Sequence, residues 1–84
     1  MDQIVLCIDV GNTHTVVGLF KGEEVIDTWR LSTVSTITSD EIFLRISLLI
    51  NSTGVDSHDI THIGLASVVP SLERVWIKAL SKFT

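Results

Sequence analysis

Residues 4–20 read I-V-L-C-I-D-V-G-N-T-H-T-V-V-G-L-F, and the rest of the chain is organised around them. Ile4 to Ile8 are continuously apolar, which is typical of a central strand that is buried on both faces of a sheet. A second, mostly apolar run, Thr13 to Phe20, follows a short polar segment. The pattern therefore predicts two strands joined by a tight turn, with the carboxylate of Asp9 at the mouth of that turn.

The segment between the two runs has the residue types of a phosphate-binding turn. Such a site needs backbone N–H groups directed into the turn, small residues where phosphate approaches, and a carboxylate for a magnesium ion or its waters. Gly11 permits the turn, and Asn12 and Thr13 add amide and hydroxyl donors. Asp9 supplies a hard oxygen ligand. The alternative is an ordinary hairpin in which Asp9 and Asn12 bond to the backbone of the turn itself.

Two common nucleotide-binding motifs are missing from the sequence. It contains no G-x-x-x-x-G-K-[ST] segment, which argues against a Walker loop. It contains no G-x-G-x-x-G segment either, so a Rossmann dinucleotide site is unsupported.

The remaining sequence predicts one more strand in the same meander, followed by helix, strand and helix. The predicted elements are a third strand at Val25 to Leu31, a helix opened by the capping box T-S-D-E at Thr38 to Glu41 and stopped by Gly54, a fourth strand at Thr61 to Val69, and a helix at Pro70 to Phe83. The order βββαβα predicts three antiparallel strands plus one parallel strand. We therefore expect an α/β, ribonuclease-H-like half-domain, incomplete and single, over residues 1–84.

Composition narrows the class of partner. The net charge is −4, and the six Lys and Arg residues are scattered singly, which argues against nucleic acid. No apolar run approaches membrane-spanning length and no basic signal region opens the chain, so we expect no membrane and a cytoplasmic location. The single cysteine, Cys7, is interpreted as a small buried hydrophobe, and Trp29 and Trp76 as core residues. Leu44 and Leu48 lie off the main apolar stripe of the first helix, either as a second buried contact or as scattered surface leucines.

Three motifs together resemble the type III pantothenate kinase family. They are D-V-G-N-T-H at Asp9 to His14, W-R-L-S-T at Trp29 to Thr33, and A-S-V-V-P at Ala66 to Pro70. The resemblance covers nearly the whole chain but only about the first third of the family's usual length. It implies membership of the acetate kinase, sugar kinase, Hsp70 and actin superfamily. It also implies ATP-dependent phosphorylation of pantothenate to 4'-phosphopantothenate, the first step of coenzyme A synthesis, by a homodimer that uses Mg²⁺ and a monovalent cation (K⁺ or NH₄⁺).

The resemblance also implies roles for individual residues. The first phosphate loop for ATP is formed by Asp9, Val10, Gly11, Asn12 and Thr13, with His14, Thr15 and Val16 along its far side, and Asp9 acts on Mg²⁺ indirectly. The family's general base is an aspartate in a G-x-D-R-type segment, expected beyond Thr84. We therefore expect this chain to be the N-terminal part of the kinase and inactive alone. The alternatives are a non-catalytic nucleotide-binding or transcriptional accessory protein, or a self-associating piece with no activity.

A few further side chains are candidates for the same cleft. Arg30 and Ser32 at the end of the third strand either face the phosphates or belong to a solvated edge and a capped loop. Ser67 either lies beside the nucleotide or simply ends the fourth strand before Pro70. His58 and His62 are four residues apart, but they straddle a loop and a strand start, so solvated histidines are favoured over a metal site.

Overall fold

The computed structural model describes residues 2–83, which form one mixed sheet with two helices. The elements are β1 (Ile4–Val10), β2 (His14–Lys21), β3 (Glu24–Ser32), α1 (Ser39–Ser52), β4 (Ile60–Ser67) and α2 (Pro70–Leu80), with single 3₁₀ turns at Ser57–Asp59 and Ser81–Phe83. The predicted order βββαβα is confirmed, but several boundaries differ. β2 begins at His14 instead of Thr13, β4 ends at Ser67 instead of Val69, and the last predicted turn of α2 is a 3₁₀ turn.

The sheet has the strand order β3-β2-β1-β4. β1 pairs antiparallel with β2 and parallel with β4, and β2 pairs antiparallel with β3. Three antiparallel strands plus one parallel strand were expected from the sequence, and this part of the prediction is confirmed. Gly22, with φ of 59°, lies in the turn that connects β2 to β3.

Local signals position both helices. Thr38 precedes α1, and its hydroxyl accepts a hydrogen bond from the Glu41 amide at 3.2 Å while the Glu41 carboxylate accepts one from the Thr38 amide at 3.2 Å. This is the predicted capping box. Gly54, with φ of +81°, follows the end of α1 in a conformation that side chains disfavour. Pro70 occupies the first turn of α2, where its missing N–H has no helical partner to lose.

Both helices pack on the same face of the sheet. The core joins alternate residues of the strands to the inward stripes of α1 and α2; its fully buried members include Leu6, Val10, Val17, Leu19, Ile42, Ile46, Ile50, Leu72 and Ala79. Because successive strand residues point to opposite faces, the other residues of β1 face away from this core. Val5 is half-buried, and Cys7 and Asp9 are exposed.

Two predictions about β1 are therefore wrong. The strand is central, but it is buried on one face only, and Cys7 is not a buried hydrophobe. The physical reason is that a continuous apolar run allows both faces of a strand to be buried, but a face is buried only where another layer of the structure packs on it. Within residues 2–83, no helix lies on the face that carries Cys7.

Other large apolar residues are likewise either packed against the core or exposed to solvent. Trp76 is buried and Trp29 is half-buried against the core, as expected for core residues. Leu44 and Leu48 are 62% and 69% exposed, so none of residues 2–83 buries them in a second contact. Neither helix, within the residues described, has the length and apolar character needed to cross a bilayer.

Candidate functional site

The D-V-G-N-T-H segment lies at one edge of the sheet, where four strand ends meet. Asp9 and Val10 are the last two residues of β1, and the turn 11–13 leads into β2. In the parallel neighbour, Ser67 is opposite Val10, and the Val68 amide donates to the Val10 carbonyl at 3.0 Å. β3 also ends here, with Ser32 opposite His14. Ligands of α/β sheets commonly bind outside strand carboxyl ends of this kind.

Gly11 allows the chain to turn tightly. Its amide donates to the His14 carbonyl at 2.9 Å, and a β-carbon added at Gly11 would lie 2.9 Å from that same oxygen. The oxygen belongs to the backbone, so it cannot swing away as a side chain would. Gly11 does not adopt a positive φ; within residues 2–83 only Gly22 and Gly54 do. The glycine is therefore required for close approach, a different reason from the usual left-handed turn.

Two threonines brace the turn from the helix side of the sheet. The Thr33 hydroxyl donates to the Gly11 carbonyl at 2.7 Å, and the Thr33 amide donates to the Thr13 carbonyl at 2.8 Å. The Thr15 and Thr33 hydroxyls are 2.9 Å apart. Thr15 is 2% exposed, the one buried polar side chain among the described residues, and this contact satisfies it.

The solvent side of the turn carries unpaired polar groups. Asn12 and Thr13 are exposed, and within residues 2–83 neither amide N–H has a hydrogen-bond partner. Asp9 is exposed and takes part in no ion pair with the described residues. Free N–H groups beside a free carboxylate match the chemistry of a metal-bound phosphate, in which the donors meet the anion and the carboxylate meets the cation.

Two of the predicted cleft residues share the face of Asp9. We call the face of the sheet that carries Cys7 and Asp9, opposite the helices, the open face. Val16 pairs with Asp9 on one side and with Arg30 on the other. Asp9 and Arg30 are therefore two strands apart on the open face, a distance of roughly 10 Å. Ser32 lies on the same face beside His14. Both Arg30 and Ser32 are exposed.

Ser67 differs from these two residues. It is paired with Val10, whose side chain points into the core, so Ser67 lies on the helix side of the sheet. Its hydroxyl accepts from the Val69 amide and donates to the Val69 carbonyl, both at 3.1 Å. These bonds shape the entry into α2 and leave the hydroxyl directed away from the face of Asp9.

The histidines of the β4 region lie at the opposite end of the sheet. His58 is in the 3₁₀ turn and pairs with Asp56 at 3.0 Å, while His62 lies in β4. The His58 amide, followed by its side chain, holds the pKa of the Asp56 carboxyl below its usual value. No group of three or more potential metal ligands occurs among residues 2–83.

The brace formed by Thr15 and Thr33 was not recognised from the sequence. The sequence does contain a signal for it. Thr15 alternates in β2 with the same phase as Val17 and Leu19, so its side chain points toward the core. A hydroxyl at an inward position needs a partner. That partner is 18 residues away in the chain, on the far side of the β2–β3 hairpin, where local patterns do not reach.

Comparison with known proteins gives a consistent result. A family model described as type III pantothenate kinase matches residues 5–84. A protein named type III pantothenate kinase from Desulfotalea psychrophila is 46% identical over 79 residues, which cover 94% of this chain and 30% of the relative. Proteins of the same name from Myxococcus xanthus and Finegoldia magna are 41% and 40% identical, over 83% and 99% of this chain and 27% and 32% of the relatives. The chain thus spans about 30% of the length of these curated relatives.

Proposed function

Because the chain belongs to the type III pantothenate kinase family, we propose that it forms one wall of the ATP site of a pantothenate kinase. The full-length protein transfers the γ-phosphoryl group of ATP to pantothenate, giving 4'-phosphopantothenate at the start of coenzyme A synthesis. One observation carries this proposal: Thr33 holds the turn 11–13 through two hydrogen bonds, while the backbone N–H groups of Asn12 and Thr13 have no partner among residues 2–83.

The proposed division of labour follows from phosphoryl-transfer chemistry. Catalysis of this reaction rests mainly on positioning and charge neutralisation, so the residues of this chain bind and orient instead of forming bonds. The Asn12 and Thr13 amides donate to the β- and γ-phosphates, with His14 to Val16 along the far side. We assign the catalytic base to no residue of this chain.

Asp9 fits a role toward Mg²⁺. Magnesium keeps several waters and is usually bound through one or two carboxylates plus substrate phosphates, so a single exposed carboxylate beside a phosphate turn is a suitable donor set. Asp9 would hold the ion through its waters, and the ion would neutralise phosphate charge. We propose K⁺ or NH₄⁺ as a further cofactor of the full-length protein and assign no residue of this chain to it.

We also propose a homodimeric full-length protein in the cytoplasm. The outward leucines of α1, Leu44 and Leu48, support self-association because they present apolar surface that the described residues leave exposed.

A titration with Mg–ATP tests the phosphate-turn proposal on this chain. We expect amide chemical-shift changes in ¹H–¹⁵N spectra to concentrate at residues 11–14. Asp9→Asn should raise the dissociation constant for Mg–ATP about tenfold, or ~1.4 kcal/mol. Its free energy of unfolding should change by less than about 0.5 kcal/mol. Asp59→Asn is the matched control, because Asp59 is also an exposed carboxylate and lies at the opposite end of the sheet.

Two outcomes would contradict the proposal. One is shift changes that avoid residues 11–14 at millimolar Mg–ATP. The other is an equal loss of affinity in Asp9→Asn and Asp59→Asn. In a full-length relative, asparagine at the position aligned with Asp9 should lower turnover far more than stability.

A further inference from the structure

The donor and the acceptor can be assigned in each hydrogen bond that connects Thr15 and Thr33 to the turn 11–13. A threonine hydroxyl has a single hydrogen, and the Thr33 hydroxyl uses it to donate to the Gly11 carbonyl at 2.7 Å. The contact between the Thr15 and Thr33 hydroxyls must therefore be a donation from Thr15 to Thr33. The result is a chain of two hydrogen bonds that begins at a side chain 2% exposed and ends on the carbonyl of the phosphate turn.

The hydrogen bond from the Thr33 hydroxyl to the Gly11 carbonyl determines the direction of the Asn12 N–H group. The Gly11 carbonyl and the Asn12 N–H belong to one planar trans peptide, in which the two groups point in opposite directions. Thr33 holds the oxygen from the helix side, so the Asn12 N–H is directed away from that side. The Thr33 amide donates to the Thr13 carbonyl at 2.8 Å and so holds the other end of the turn. Thr33, which directly follows β3, thus bonds to the carbonyls at both ends of the turn.

We propose that Thr33 is a positioning residue that sets the nucleotide affinity of the turn 11–13 without touching the nucleotide. This inference rests on the proposed function, because it assumes that the Asn12 and Thr13 amides bind phosphate. Its structural half, that Thr33 orients the Asn12 amide in the unliganded chain, is independent of that assumption and can be measured separately. Preorganised donors bind an anion more tightly because less ordering is left for the binding step.

The key comparison is Thr33→Val against Thr33→Ser. Valine keeps the shape but removes the hydroxyl, whereas serine retains it. In the unliganded chain, ¹⁵N relaxation should give the Asn12 amide an order parameter near 0.85 in the parent and in Thr33→Ser, and below about 0.6 in Thr33→Val. The dissociation constant for Mg–ATP should rise about tenfold in Thr33→Val and about twofold or less in Thr33→Ser, the tenfold change corresponding to ~1.4 kcal/mol.

Two further variants separate positioning from general destabilisation. Thr61→Val removes a hydroxyl that donates to the Ile4 carbonyl at 3.0 Å, the same kind of bond at the opposite end of β1. It should leave the Asn12 order parameter and the Mg–ATP affinity unchanged. If Thr33→Val does not fold, because it leaves the Thr15 hydroxyl buried without a partner, Thr15→Val/Thr33→Val removes both hydroxyls and serves in its place.

The outcomes distinguish the two levels of the proposal. An Asn12 amide equally ordered in the parent and in the valine variant overturns the inference, whatever the nucleotide does. An amide that loses order in the valine variant, in a chain whose turn does not respond to Mg–ATP, supports the brace and counts against the proposed function. Equal affinity loss in Thr33→Val and Thr61→Val overturns the positioning role, since both would then act through stability.

Discussion

Leu6 and Cys7 are neighbours in the central strand of one sheet, yet their surroundings are opposite. Leu6 is completely buried beneath the helices, while Cys7 is exposed on the other face. Both belong to the same uninterrupted apolar run, so hydrophobicity along the strand does not distinguish the two faces. What distinguishes them is the second layer, which α1 and α2 provide on one side only. The edge that carries the candidate site borders both faces, with Thr15 and Thr33 on the covered side and Asp9 on the open side.

The strongest test of this difference is a pair of truncations at these neighbouring positions. Leu6→Ala should lower the free energy of unfolding by about 2–5 kcal/mol, because it removes a fully packed side chain and leaves a cavity. Cys7→Ala should change it by less than about 0.5 kcal/mol. Urea denaturation of both variants, with unchanged slopes, measures the two values. Similar losses at the two positions would mean that the open face is covered in solution.

Two glycines on the open face give a smaller and sharper test. A β-carbon at Gly64 would meet only the Cys7 sulfur at 3.9 Å, whereas one at Gly18 would lie 2.8 Å from the Phe20 ring. Gly64→Ala should therefore be neutral or stabilising by up to ~1 kcal/mol, since alanine restricts the unfolded chain. Gly18→Ala should be less stable than Gly64→Ala by about 1 kcal/mol, because the ring must move.

Thermal unfolding of the two glycine variants measures this difference. If Gly64→Ala is the more destabilised, the space above Gly64 is occupied in solution.

The sequence predicted those parts of the fold that depend on local chemistry. Thr38 and Glu41 predicted the start of α1, Gly54 its end and Pro70 the start of α2, because caps and turn residues act within a few positions. The turn after Asp9 was found for the same reason. Burial of Cys7 was predicted wrongly because it depends on which distant element covers a strand face.

The hydrogen bond between Thr15 and Thr33 depends partly on local sequence and partly on distant strand pairing. The inward parity of Thr15 is a local signal that a buried hydroxyl needs a partner. The identity of that partner depends on the register of β2 against β3, which places Leu31 opposite Thr15 and brings Thr33 to the turn. Only a predicted register would have connected W-R-L-S-T to the turn 11–13.

The smallest effect on stability is expected on the outward side of α1, which repeats the contrast between covered and open surfaces within a single helix. Ile46 is fully buried, while Leu48, two residues later, is 69% exposed. At low micromolar concentration, Leu48→Gln should change the free energy of unfolding by less than about 0.5 kcal/mol, since the side chain already faces water. At higher concentration, sedimentation should show the parent chain associating and Leu48→Gln shifted toward monomer. Arg45→Gln, a substitution at another exposed position of α1, is the control and should sediment like the parent. Identical sedimentation of all three proteins would exclude Leu48 from any interface between copies, and would leave the sheet face that carries Cys7 as the remaining candidate for such an interface.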